Sequence, residues 1–239
     1  ALKPILENEQ VRKVLFDSKN ERHRCAEFGI NLSGEVFDVM IAKHLVLGES
    51  VTKLLDVIEV EEDLNQAATI LVGDAIELEE NLERMGMMKL YRELELPLSV
   101  VLFEMEQTGF KIDQKRLAEL DQKYDEEIEK LTNEIYGVVG REFNINSPKQ
   151  LSEIIYDELA LSKSKKKSTA SDVLEQLVDR HPLIPLVIRY RKVAKFSSGF
   201  IKNMYSHLDE NGYVHTKLNQ TLTTTGRLSS SDPNLQNLP

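Results

Sequence analysis

Thr223 to Pro239 reads TTTGRLSSSDPNLQNLP, and no other stretch of the 239-residue chain constrains fold and chemistry as strongly. Hydroxyl side chains crowd its first half, a single cation, Arg227, directly follows Gly226, and Asp232-Pro233-Asn234 has the residue types of a tight turn. Serine, threonine, asparagine and glutamine side chains hydrogen-bond phosphate and sugar oxygens, contacts that fix position without reading sequence. On composition alone, a polar surface loop with a local turn is the simpler reading.

Outward from this segment, Gly212-Tyr213-Val214-His215-Thr216 reads as a turn into a strand leading to Gln220. Further back, Arg191 and Lys195 stand four apart on one helical face, a spacing that follows a phosphate backbone. Lys163-Ser164-Lys165-Lys166-Lys167-Ser168 is a basic, flexible tract, followed by an expected N-cap at Ser171 and a helix over Asp172 to Val178. A lysine run is commonly a solvated face. Asn146-Ser147-Pro148-Lys149-Gln150-Leu151 reads as a capped helix start, Ser147 the N-cap and Pro148 the first helical residue. Free N–H groups there suit a phosphate and Lys149 adds charge, while a plain helix cap explains Ser147 and Pro148 equally well.

The middle of the chain predicts long helices. Leu94, Leu98, Val101 and Met105 form one stripe, broken by Pro97, which is expected to kink or restart the helix. Leu117, Leu120, Tyr124, Ile128, Leu131, Ile135 and Val138 form a second, and the two helices are expected to pack antiparallel. The front reads as α/β: a strand at Val14-Leu15-Phe16, helix at Cys25 to Phe28, a turn-rich connection from Gly29 to Gly34, then a helix from Phe37 to Leu47.

The terminal segment resembles the opening of the palm in family A DNA polymerases, the bacterial DNA polymerase I family, which runs TGRLSS, two variable residues, then PNLQNIP. Thr225 to Ser230 and Pro233 to Asn237 match, and Leu238 replaces isoleucine. The resemblance implies that Arg227 enters the minor groove at the primer terminus, with Asn234, Gln236, Asn237, Thr225 and Ser229 near the template–primer. A copying enzyme must hold every pair equally, and minor-groove acceptors hardly distinguish A·T from T·A, so one always-charged donor suits the task. LYRELELPL through VVGREFNINSPKQL is similar to the start of the family's thumb, whose tip grips duplex backbone; this implies DNA contacts for Asn144, Ser147 and Lys149, and phosphate attraction at Lys165 and Lys166.

FGINLSGEVFDVMIAKHLV is similar to the later part of the family's 3′-5′ exonuclease domain. That chemistry needs clustered carboxylates around two metals. Here Glu21 and Asp74 are the candidates, but Ile70 stands where a tyrosine is expected and the first Asp-x-Glu element precedes Ala1. A structural relic without nuclease activity is expected, Glu21 and Asp74 reading otherwise as solvated helix acids.

The fold class expected is therefore an α/β, partial exonuclease-like domain of ribonuclease H type at 1–88, a mainly α-helical thumb at 89–211, and the start of an α+β polymerase palm at 212–239. Its net charge of −10 is uneven: residues 1–139 hold 16 Lys and Arg against 30 Asp and Glu, and residues 140–239, which carry the motif, hold 14 against 10. Screening beyond about 10 Å lets a distant acidic part coexist with DNA binding. A single Cys25 excludes an internal disulfide, no run is long enough for a membrane span, and the start lacks a signal peptide's pattern, so no membrane partner and a cytoplasmic, nucleoid-associated location are expected.

No histidines or cysteines stand at zinc spacing, and no P-loop or nucleophile elbow is present. By the resemblance, the whole enzyme is a DNA-directed DNA polymerase of replication and repair, with primer–template DNA and dNTPs as partners and Mg²⁺ held by two palm aspartates beyond Pro239. No catalytic or metal residue is expected in this segment, which alone binds DNA without polymerising. The remaining palm and fingers are expected as a second chain or as a part cut away. Two alternatives stay open: a non-catalytic DNA-binding module, and a 3′-5′ exonuclease.

Overall fold

The computed structural model describes residues 2–52, 64–162 and 166–237; Lys163 to Lys165 of the basic tract, and Leu238 and Pro239, lie outside the described residues. In chain order the elements are α1 (Lys3–Leu6), β1 (Lys13–Leu15), α2 (Ser18–Glu27), β2 (Val36–Asp38), α3 (Val39–Leu47), α4 (Leu64–Arg84), α5 (Met88–Leu90), α6 (Leu96–Thr108), β3 (Phe110–Lys111), α7 (Gln114–Val139), α8 (Pro148–Ser152), α9 (Ser171–Glu175), α10 (Leu183–Phe196), α11 (Asn203–Tyr205), β4 (Tyr213–Val214), β5 (Lys217–Asn219) and β6 (Ser229–Ser231). Wide π-helical turns continue α5, α8 and α10. The chain is helix-rich with short strands, and it forms two compact units, residues 1–110 with 214–238, and residues 111–213.

In the first unit β1 and β2 pair in parallel, Val14 opposite Phe37, a pairing that requires a crossover, supplied by α2. The Asp17 side chain starts α2 by accepting the N–H of Asn20 at 3.0 Å. The expectation of one helix from Phe37 is corrected. Val36–Asp38 is a strand, and the helix begins at Val39 because the Asp38 carboxylate accepts the N–H groups of Ile41 at 3.0 Å and Ser18 at 2.7 Å. Asp38 is fully buried, and that burial pushes its carboxyl up to about 6, against the lowering effect of its bonds with Ser18 and Ile41. Phe37, Val39, Ile41 and Ala42 then pack with Ala75, Leu78 and Leu82 of α4 and with Tyr91. Each such large side chain contributes about 1.5–3 kcal/mol through burial.

The stripe expected along α6 is also corrected. Tyr91–Glu95 forms a π-helical turn, and Pro97 then sits in the first turn of the restarted helix, where its missing N–H leaves no bond unmade. The wide turn changes the angular phase, so Leu94, Val101 and Met105 are exposed while Ser99, Leu102 and Glu106 are buried. This face packs on α2.

In the second unit Asp113 caps α7 by accepting the N–H of Arg116 at 3.0 Å. The stripe on α7 holds, with Leu117, Leu131 and Ile135 buried, except that Val138 is exposed. Its partner is α10, through Leu183, Ile184, Val187, Tyr190 and Val193. α6 belongs to the first unit, where it packs on α2, and α7 to the second, where it packs on α10. A smaller correction falls on α9, which starts at Ser171 with Ala170 as its uncapped N-cap and ends at Glu175. Tight turns, Leu177 N–H to Leu174 O at 2.9 Å and Arg180 N–H to Leu177 O at 2.9 Å, replace its last residues before Pro182.

Candidate nucleic-acid interface

The motif folds as a small antiparallel ribbon in the first unit. Lys217, Leu218 and Asn219 of β5 face Ser231, Ser230 and Ser229 of β6. Its connecting loop is tied down at the root: Gln220 Nε2 donates to Glu95 O at 2.8 Å, and Thr221 Oγ1 donates to Val51 O at 2.6 Å. Toward the tip the loop is free. Thr225, Gly226 and Arg227 are exposed, Gly226 takes a left-handed φ of 70° that turns the chain just before Arg227, and the Thr223 hydroxyl holds the Arg227 carbonyl. The Arg227 guanidinium itself has no partner among the described residues, so a long cation stands on a braced base with all its donors available.

Behind β6 the chain folds over Ser230. Its buried Oγ accepts the N–H groups of Leu235 at 3.0 Å and Gln236 at 3.2 Å, and donates to Asn234 Oδ1 at 3.2 Å. Asn234 Oδ1 accepts in turn from the N–H of Gln236 at 3.0 Å and of Asn237 at 3.2 Å. Gln236 Nε2 reaches back to Leu228 O at 3.2 Å. Asn234 and Gln236 therefore spend part of their hydrogen-bonding capacity building the loop, while Asn237 is exposed. The Ser229 hydroxyl is shielded from solvent and has no partner among the described residues. Thr216 Oγ1, also buried, lies 2.7 Å from Pro233 O and 3.1 Å from Ser231 O, closing the ribbon from the other strand.

The second unit holds the remaining candidates. Ser147 caps α8, accepting the N–H of Gln150 at 3.4 Å with Pro148 in the first turn, and Gln150 Oε1 accepts the N–H of Asn144, three residues before the cap, at 2.7 Å. Asn144 Oδ1 accepts from Asn146 N–H at 3.0 Å, and Asn146 Nδ2 donates to Tyr190 Oη at 3.2 Å, which fixes the loop to α10. Asn144 and Lys149 are exposed. On α10 the two cations divide. Lys195 is exposed, whereas Arg191 turns back to the carbonyl and hydroxyl of Thr169, and burial lowers its pKa from the usual guanidinium value. Lys167 pairs with Asp157, and Lys166 lies in a turn.

Glu21 pairs with Arg24 at 3.1 Å on α2, and Asp74 stands on α4 beside Lys43 and Glu77. Among the described residues no three His, Cys, Asp or Glu side chains gather as a cation site, and no helix is long and apolar enough to cross a membrane. Sequence reasoning missed Ser230, Thr216 and Gln150; only Gln150 had a local signal, the Ser-x-x-Gln pattern of a capping box.

Residues 114–239 match the model of DNA polymerase family A. The chain belongs to this family. Over 99% of its length it is 33% identical to DNA polymerase I of Bacillus subtilis strain 168, and over 98% it is 36% identical to that of Geobacillus stearothermophilus. It spans only 31% and 30% of those two family A relatives. Among solved structures it is similar, with a TM-score of 0.84 and 30% identity over the whole chain, to the POL domain of Pol1 from M. smegmatis in complex with DNA primer-template and dNTP, of which it covers 44%.

Proposed function

We propose that this chain is the primer–template-gripping part of a family A DNA-directed DNA polymerase acting in replication and repair. The carrying observation is Arg227, an exposed cation with no partner among the described residues, at the tip of a ribbon whose root is tied down through Gln220, Thr221 and Ser230. Arg227 and Asn237 contact the duplex at the primer end, with Asn234 and Gln236 shaping the loop that presents them. Thr225 and Ser229 flank this surface. Asn144, Ser147 and Lys149 grip the backbone from the second unit, with Lys195, Lys166 and Lys165 adding charge. Arg191 serves chiefly by holding Thr169.

In this reading residues 1–88 are an exonuclease-like remnant without nuclease activity, 89–211 the thumb and 212–239 the palm entrance. Nucleotidyl transfer belongs to the whole polymerase, where divalent metal neutralises the triphosphate and activates the primer hydroxyl. In this reading the segment's own work is binding and orienting DNA. The partners are primer–template DNA, the rest of the polymerase and, through it, dNTPs; the location is the bacterial nucleoid.

The test is anisotropy of a labelled primer–template titrated with the 239-residue chain across a salt series, alongside extension with Mg²⁺ and dNTPs. Binding that weakens with salt, without extension, is expected. Absence of binding at low salt, or extension by this chain alone, overturns the proposal.

A further inference from the structure

Glu106 is a buried acid on α6 whose side-chain partners come from two other elements of the first unit, α2 and β5. Its Oε1 is held by Lys19 of α2 and accepts the backbone N–H of Leu218 in β5 at 2.6 Å. Its Oε2 lies 2.5 Å from His23 Nε2, also on α2. Gln107 Nε2 stands 3.0 Å from His23 Nδ1, so with Nδ1 accepting from the amide, Nε2 carries its proton toward the carboxylate. The edge of the Phe103 ring fixes the imidazole from the side, centroids 4.8 Å apart, and His215 Nδ1 lies 2.8 Å from the Glu106 carbonyl.

This arrangement is unusual for a packing contact. Apolar residues would join α2 to α6 without the desolvation cost of a buried carboxylate. The charge is aimed instead at one backbone N–H of β5, and Leu218 lies opposite Ser230, the residue that organises the loop behind Arg227. A buried, fully partnered acid bound to a strand N–H allows one register and one height for the ribbon.

We propose that Glu106 is a positioning residue for DNA binding: through it, Lys19 and His23 of α2 brace the β5–β6 ribbon so that Arg227 is presented to the primer end in one place. The exonuclease-like remnant thus has a present task, as the back wall of the DNA-contact loop. The inference rests on the proposed DNA-binding role of that loop.

A double-mutant cycle tests it, with primer–template affinity measured by anisotropy on the full 239-residue chain. Glu106→Ala is expected to weaken binding about tenfold, while Glu106→Gln, which keeps a carbonyl acceptor for Leu218, stays within about threefold. In an Arg227→Ala background the Glu106→Ala loss is expected to shrink below about twofold, because both changes act through one contact. Amide exchange at Leu218 is expected to accelerate in Glu106→Ala and not in Arg227→Ala. If Glu106→Ala does not fold, Lys19→Met, which removes one α2 contact and keeps the carboxylate, runs the same cycle with an expected loss of about threefold. Failure of the wild type to bind, or an Arg227→Ala chain that binds as tightly, defeats the reading of the loop. Arg227→Ala weakening binding while the Glu106 or Lys19 variant costs nothing, or the same factor in both backgrounds, overturns the brace alone.

Discussion

Gly109 lies against the ring of His215 so closely that a Cβ on it would stand 2.8 Å from Cε1 and 2.9 Å from Nδ1. Its φ of 70° is itself a glycine conformation, and it ends α6 just before the chain leaves that helix. His215 cannot retreat freely, because its Nδ1 is 2.8 Å from Glu106 O. Gly109→Ala therefore combines backbone strain with a clash against a held side chain. A loss of roughly 2 kcal/mol or more is expected in urea unfolding; an unchanged midpoint would show that the ring moves aside.

Asp38 makes the first unit's stability depend on pH with a definite sign. Burial holds its carboxyl at about 6, above the ordinary 3.8. Between those values the folded chain keeps a proton that the unfolded chain has lost, so this group's contribution falls as pH rises from about 4 to about 6 and is flat beyond. Relative to Asp38→Asn, which does not titrate, the wild type is expected to lose about 1–3 kcal/mol across that window. Urea midpoints of both proteins at pH 4, 5, 6 and 7 measure it, and parallel curves refute it.

Ser230 joins β6 to the loop that follows, accepting two N–H groups and donating to Asn234. Ser230→Ala leaves the Leu235 N–H without its acceptor, while the Gln236 N–H keeps Asn234 Oδ1, at a cost of about 1–3 kcal/mol. Because the same bonds order Asn234 to Asn237, primer–template affinity should fall as well, although Ser230 need not touch DNA. Ser230→Thr keeps the hydroxyl and is expected to recover most of the affinity; equal behaviour of the alanine and threonine variants would remove Ser230 from this role.

What the sequence made legible was what local rules decide. The Ser147 cap and the α7 stripe both follow from neighbours in the chain. Failures came where a distant partner decides. Val36–Asp38 is too short to show alternation and becomes a strand by pairing with β1. On α6 a count of apolar residues picks Leu94, Val101 and Met105, yet Ser99 and Glu106 go inside, because Ser99 Oγ bonds Leu96 O at 2.7 Å and Glu106 meets α2 and β5. A buried polar face is invisible to hydrophobic periodicity. The exposed Arg227 was legible as a residue type; the bonds beneath it were not.

Arg191 and Lys195 share a helical spacing but not a role, and separating them tests how far charge alone marks a DNA contact. The Arg191 guanidinium is half-buried on Thr169, so Arg191→Ala should lower the thermal midpoint of the second unit by removing a charged donor from a carbonyl, a loss of about 1.5–3 kcal/mol. Lys195 is exposed, and Lys195→Ala should leave that midpoint within about 0.5 kcal/mol of wild type. Its effect belongs to DNA: removing one phosphate contact lowers the slope of log affinity against log salt by about one. Differential scanning fluorimetry and the salt series, run on both variants, give opposite patterns if the geometry governs. Equal salt slopes for wild type and Lys195→Ala would take Lys195 off the DNA path, and an unshifted midpoint for Arg191→Ala would return Arg191 to it.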